Sequence, residues 1–387
     1  MTAEHNNSTT EIITSTDVKE GLNYDIWRTP KLIQDQFESL SVNEKLLYLI
    51  TLAHMAPSTH NTQPWAFSFF ERKLRGAPLA IYLDRDRVLP ASDARGRQAV
   101  ISVGAALGNI EIAASHFGLN TIIRDESVTS SQVLPYKLTD DKGRYVKLCK
   151  IGFDPSGPDT NDGLYDAIFT RRINRNITDT TGKIPYELQM EIQTLENPGT
   201  HLYILTAGDP RIAGIAEFQG QADAYVANSK KFAGELGNWL MENDTKDFLG
   251  MPGDTFDMTI AQAKHTKYAL QGKEILSAND IAAFSRGSTS GIRTASIVGM
   301  ITVDKDVPEY WLKSGKLLGR IGLTLTRHGM SYAIHAGLAE VSLTRFGLSK
   351  AIFTTGTPAI LFRAGYPRPD LTIPPHSPRL PIEEIII

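Results

Sequence analysis

From about Arg97 to Phe117 the chain reads as one long, apolar helix with Gly104 and Gly108 on a single face and Gly118 at the position that closes it. Two glycines so placed let another element approach the helix backbone closely, so this segment belongs in the middle of a fold. What surrounds it occurs twice. Ser41 and Glu44 form a capping box ahead of Leu46, Leu47, Leu49, Ile50 and Ala53, and Pro57 ends that helix. Ala66–Phe70 and Leu79–Leu83 read as a hairpin turned by Glu71 to Arg75 and Gly76, and strands recur at Thr121–Ile123 and Tyr145–Leu148.

A Gly/Pro/Asp-rich stretch, Asp154 to Gly163, marks a boundary. Beyond it come a helix over Leu164–Thr170, another from about Pro185 to Leu195 and a strand at His201–Leu205. Helical stretches near 210–245 and 308–334 follow, separated by Gly/Ser/Thr-rich text from Leu276 to Gly299, and a buried strand at Ala359–Tyr366 precedes a proline-rich tail. The repeated order suggests duplication. At 387 residues the chain exceeds one ordinary core, which fits two fused halves over 41–155 and 160–387 behind a flexible arm of residues 1–40.

Composition narrows the class. The net charge of −3 implies neither a nucleic-acid nor a membrane partner. The N-terminus has no basic or apolar leader, and no window approaches about 18 apolar residues. One cysteine, Cys149, leaves no disulfide within the chain and fits a cytoplasmic home. The histidines show no metal-ligand spacing, and His328 and His335, seven apart on one helical face, read as a packing coincidence. Gly315, Gly319 and Gly322 lack the preceding strand and spacing of a dinucleotide fingerprint, and Gly287–Gly291 reads as a flexible loop.

Four segments in this order carry a resemblance: Ala56–Trp65 (APSTHNTQPW), Arg97–Gly118, Arg171–Arg175 (RRINR) and Ile360–Pro381 with its GYP and PRLP elements. Over about 41–387 the sequence resembles the nitroreductase superfamily, and within it the Acg-like branch. The resemblance implies an α+β, nitroreductase-like fold, with central mixed or antiparallel sheets flanked by helices, built as an intramolecular pseudo-dimer. It implies FMN as cofactor, held by Pro57, Ser58, Asn61 and Gln63 from the first half and by Arg171, Arg175 and Arg379 from the second. Arginine forks suit a phosphate. In the resemblance Arg171 and Arg379 match phosphate positions, and Arg175 matches the cation beside the flavin's pyrimidine edge. Ile173 stands where the family has Ser or Thr, and Ser377 where many relatives carry a second cation. The corresponding place in the second half, Leu195–Thr200, lacks the loop pattern, so one FMN per chain is expected.

His335, in the loop Ile334–Gly337, is a candidate substrate contact, and an insertion near 245–300 is a candidate lid. The expected activity is electron transfer, by hydride through the flavin, from NAD(P)H or another reductant to a small organic acceptor such as a nitroaromatic or quinone. The alternative is a stress-type protein that sequesters FMN with little NAD(P)H turnover. The partner is then a small-molecule substrate, and the protein a monomeric pseudo-dimer or a homodimer.

Overall fold

The capping box at Ser41 forms, with Ser41 N donating to Glu44 Oε2 at 2.8 Å and Glu44 N donating to Ser41 Oγ at 3.3 Å. The structure is a computed structural model that describes residues 18–69, 76, 78–135, 143–155, 157, 162–352 and 354–387. It begins with a 3-10 turn over Leu22–Arg28, a short helix α1 (Gln34–Ser39), and the capped α2 (Val42–His54). Strands β1 (Trp65–Phe69) and β2 (Leu79–Asp84) precede the long helix α3 (Arg97–His116), which is followed by β3 (Asn120–Asp125) and β4 (Tyr145–Asp154). These four strands form an antiparallel sheet in the order β1-β2-β4-β3. Phe70 and the turn residues Glu71 to Arg75 lie outside the described residues.

The second part opens with α4 (Leu164–Thr170), α5 (Tyr186–Gln193) and β5 (Thr200–Thr206), then α6 (Arg211–Asn228) and α7 (Lys230–Trp239). A parallel pair of two-residue strands, β6 (Leu240–Met241) and β7 (Met251–Pro252), leads into α8 (Ile260–Leu270) and α9 (Ala278–Thr294). Next come β8 (Ile297–Val303), α10 (Pro308–Arg327), β9 (Ser331–Ile334), α11 (Ala336–Glu340), α12 (Ser342–Ile352) and β10 (Thr357–Gly365). The second sheet is antiparallel with order β5-β8-β10-β9. Counting only its own strands in chain order, each sheet runs first, second, fourth, third. Each also places a twenty-residue helix between its second and third strands.

Those two helices, α3 and α10, pack on each other through glycine. A Cβ on Gly104 would lie 2.2 Å from Leu312 O, and one on Gly315 would lie 2.0 Å from Ile101 O. Nothing larger fits at this crossing. Helix α3 is the one described helix long and apolar enough to cross a membrane, and 83% of that window is buried inside the protein. One apolar cluster joins α2, α3, α10, the first sheet and one face of β8, through Ile297, Ile301 and Val303. Val298 and Met300 point the other way, into a cluster under α6, α9 and α12.

Several expectations need correction. The stretch 308–334 is not one helix: Gly329, at φ 71°, turns the chain out of α10 and into β9. His328 therefore caps α10 and His335 follows β9, so they share no helical face. Residues 210–245 form two helices, and the Gly/Ser/Thr-rich text is mostly α9, so Gly287–Gly291 is helical. The insertion near 245–300 cannot extend to residue 300, because Ile297 begins the buried strand β8. The arm is ordered over residues 18–40, with Tyr24, Trp27 and Phe37 buried, whereas residues 1–17 lie outside the described residues. After β10 the tail crosses back to the first sheet, where Ile386 bridges Phe67 and Ile387 N donates to Phe67 O at 2.8 Å.

Candidate functional site

Pro57 stops α2, and the next residues turn so tightly that His60, Asn61 and Gln63 take φ of 48°, 55° and 50°. Left-handed backbone costs a non-glycine residue about 1–3 kcal/mol, so such a loop persists only where its surroundings fix it. Here they do. Gln63 N donates to Ser58 Oγ (2.9 Å), and Asn61 Nδ2 donates to Gly250 O and Pro378 O (both 2.9 Å). Gln63 Nε2 donates to Phe248 O (2.8 Å), and its Oε1 accepts from Leu380 N (2.9 Å). Beneath the loop, Trp65 Nε1 donates to His54 Nδ1 (2.8 Å), which leaves the His54 proton on Nε2 to meet Leu380 O (2.9 Å). Burial and the nearby Arg379 charge bring His54 down to about 3, so it is neutral.

These contacts revise two expected ligands. The Gln63 amide is spent on protein groups and the side chain lines neither cavity described below, so it holds the loop rather than a cofactor. Asn61 also spends its amide internally, although it borders the cleft. Pro57 and Ser58 are the loop residues presented outward.

The C-terminal tail delivers Arg379 under this loop, where Arg379 Nε donates to His54 O (2.9 Å), Nη1 to Asn61 Oδ1 (2.7 Å) and Pro378 O (2.9 Å), and Nη2 to Ala56 O (2.9 Å). Its donors are consumed by the fold. Arg379 therefore borders the cleft with its donors engaged by the fold, where the resemblance expects a phosphate ligand. Arg171 differs: Nη2 donates to Met55 O (2.7 Å), while its buried Nε has no partner. Arg172 lies alongside, with Nε 3.4 Å from His376 Nε2. His376 stacks on Trp27 at 4.1 Å, and Trp27 Nε1 donates to Ser377 O at 2.8 Å. Burial and the arginines hold His376 neutral, and its Nδ1 is unpartnered. The narrow cleft is thus walled by four arginines, Arg171, Arg172, Arg175 and Arg379, and roofed by the stacked pair.

Pro57, Ser58, Ile173, Arg175 and Met251 border both this cleft and a cavity of about 480 Å³. Arg175 lies over the Phe256 ring at 4.2 Å, with its pKa lowered by burial to about 10, so it stays charged at neutral pH. Deeper in, Arg363 Nη2 donates to Arg175 O (2.7 Å), leaving Nε and Nη1 without partners. No described carboxylate pairs with Arg175, Arg363 or Arg379. Gln98 on α3 contributes another buried, unpartnered nitrogen to the wall. His335 also lines the cavity, and burial with the Arg363 and Arg175 charges holds it neutral. The sequence reading missed Trp27, His376, Arg363 and Gln98. Only His376, in the tail beside PRLP, carried a positional signal.

No family model matches the chain. The "Putative NAD(P)H nitroreductase acg" of Mycobacterium tuberculosis is 24% identical over 347 residues, covering 87% of this chain and 93% of that protein. The "Putative NAD(P)H nitroreductase Rv3131" of the same organism is 23% identical over 345 residues, covering 89% and 91%. Among solved structures, a "putative nitroreductase" from Anabaena variabilis aligns over 89% of this chain and 91% of its own, with TM-score 0.47 and 10% identity. The FMN-dependent nitroreductase NfnB of Mycobacterium smegmatis, solved with NADPH, aligns over 56% and 94%, with TM-score 0.35 and 15% identity. Along nearly the whole length of those mycobacterial relatives, the chain is similar to Acg-like proteins named as nitroreductases.

Proposed function

We propose that the protein is a cytoplasmic, FMN-dependent oxidoreductase, built from two fused nitroreductase-type halves, that passes electrons from NAD(P)H to a small organic acceptor. The observation that carries this reading is the continuity of the arginine-walled cleft with the large cavity through one shared rim, Pro57, Ser58, Ile173, Arg175 and Met251. A cofactor with a phosphate at one end and a planar, partly polar ring at the other matches that shape and charge. The residues fit it at both ends. Arg171 Nε and His376 Nδ1 are buried without partners in the cleft, and Gln98 Nε2, Arg363 Nε and Arg363 Nη1 are so in the cavity wall. A buried donor left unmade costs about 1–3 kcal/mol, which a bound polar group would recover.

In this reading Arg171 and Arg172 bind the phosphate, Arg379 adds charge from behind, and Trp27 with His376 covers that end. Pro57 and Ser58 border the ring, and Arg175 stabilises negative charge on its polar edge in a site shielded from bulk water. When bound, the flavin supplies the two-electron chemistry at its N5. The names of the mycobacterial relatives support NAD(P)H as reductant.

The purified protein should be yellow, and anaerobic NADPH or NADH should bleach it, with colour restored by a nitroaromatic or quinone. A colourless protein that takes up no FMN on reconstitution would overturn the proposal. Bound flavin that neither nucleotide bleaches would favour the second reading, FMN sequestration, which the enclosure of the cavity by α6 to α9 makes specific.

A further inference from the structure

His335 sits at the end of β9 with its ring inside the cavity wall, 7% exposed. Its Nδ1 lies 3.0 Å from Gln219 Oε1, whereas its Nε2 is buried and has no partner. Gln219 on α6 is fixed in turn, because its Nε2 donates to Asp223 Oδ1 at 2.7 Å and the other Asp223 oxygen accepts from Ser288 Oγ on α9. A carboxylate only accepts, so the Gln219 amide must turn its nitrogen to Asp223 and its oxygen to His335. That oxygen also only accepts. The His335 proton therefore resides on Nδ1, and Nε2 keeps an unpaired lone pair buried in the cavity wall.

We propose that His335 Nε2 reads a hydrogen-bond donor on the acceptor substrate, so that the cavity selects molecules carrying an O–H or N–H group beside the reducible centre. The inference rests on the oxidoreductase reading and deepens it. His335 is assigned to the substrate rather than to the phosphate end of the cofactor because it is absent from the arginine cleft and from the rim that the cleft shares with the large cavity. Its tether also runs to α6 and α9, away from that rim. Gln219 and Asp223 are positioning residues: they set which imidazole nitrogen is bare. A donor paired with that nitrogen gains a hydrogen bond, and an analogue without one leaves it unmade.

The probes are 2-nitrobenzyl alcohol and its methyl ether, which share the nitro group and differ in one O–H beside it. With the flavin-loaded protein, calorimetry should show the alcohol binding about tenfold more tightly. His335→Phe should bring the two probes to parity while still binding the ether and retaining the flavin. Gln219→Leu should also abolish the preference although His335 is present, and a nitrogen-15 spectrum of labelled histidine should show the proton released from Nδ1. Equal binding of the two probes by the parent, binding of neither, or a preference surviving in His335→Phe would overturn the inference while flavin retention and bleaching still stand. A parent that takes up no flavin would fail earlier, at the functional reading itself.

Discussion

The arginines of the site divide by what their nitrogens are already doing. Arg379 is caged by His54 O, Ala56 O, Pro378 O and Asn61 Oδ1, so Arg379→Ala strips donors from four buried acceptors. Each unsatisfied buried group costs about 1–3 kcal/mol, partly offset by no longer burying the guanidinium. Arg171 keeps an unpartnered Nε and a single protein contact, at Met55 O. Apart from the Phe256 ring, the described partners of the Arg175 guanidinium are Thr255 O and the Met251 sulfur, at 3.5 and 3.8 Å. Three variants should therefore separate. Arg379→Ala should lower stability in urea by roughly 2 kcal/mol or more even without cofactor. Arg171→Gln should leave the melt near the parent's and weaken FMN binding about tenfold to hundredfold. Arg175→Gln should lower the midpoint potential of the bound flavin by about 30–60 mV, equivalent to one to two decades of preference for the reduced form. Equal shifts of potential in the Arg171 and Arg175 variants would show the ring assigned to the wrong arginine.

At the scale of elements, the crossing of α3 and α10 fixes the cavity as well as the core, since Gln98, Ile101, Ser102 and Ala105 on α3 and Leu318 on α10 line it. Gly104→Ala should force the helices apart, at about 1–3 kcal/mol for overpacking, and weaken flavin retention with it. Gly108→Ala is the contrast, because its Cβ would stand 3.4 Å from Lys316 O and alanine is worth up to about 1 kcal/mol over glycine in a helix. Urea melts in which Gly104→Ala is no less stable than Gly108→Ala would refute this account of the crossing. The Gly104 and Gly108 pattern was legible in the sequence, yet its partner was not: Gly315 and Gly319 of α10 were considered only as a failed nucleotide motif. Strand β8 escaped notice because both its faces are buried, so Ile297–Val303 shows no alternation. Helix α9 escaped because its Gly, Ser and Thr content argues for a loop, whereas the Ser277–Asp280 capping box and the Ser288 bond to Asp223 hold it as a helix. Arginine positions in the site came through the family pattern. The bonds that tie Gln63 and Arg379 into the fold depend on the returning tail, whose path no local pattern encodes.

Over the whole molecule, the site is assembled from five distant stretches: the Trp27 turn, the loop after α2, the RRINR segment after α4, Met251 of β7, and the tail from Pro375 to Arg379. The matching strand orders of the two sheets invite the expectation of a second, reciprocal site. The loop after α5, which holds the place of the first half's Pro57–Gln63 loop, instead lines a separate cleft of about 290 Å³ through Leu195 and Asn197. In that cleft Lys316 Nζ is paired with Glu111 Oε1 at 2.7 Å, and Arg320, the other cation lining it, lies 3.9 Å from an Asp162 oxygen, so both face carboxylates. An anionic phosphate would have to displace Glu111 or lie beside it, and like charges that close repel. The first cleft differs, with Arg175 and Arg379 paired to no described carboxylate, buried unpartnered donors at Arg171 and His376, and an opening onto the large cavity. The protein should therefore carry one FMN per chain. Flavin absorbance of the released cofactor against protein concentration, with native mass spectrometry of the holoprotein, should give a ratio near one that excess FMN does not raise. A ratio near two would mean that the Glu111–Lys316 cleft binds as well, and that the two halves are equivalent in function as well as in strand order.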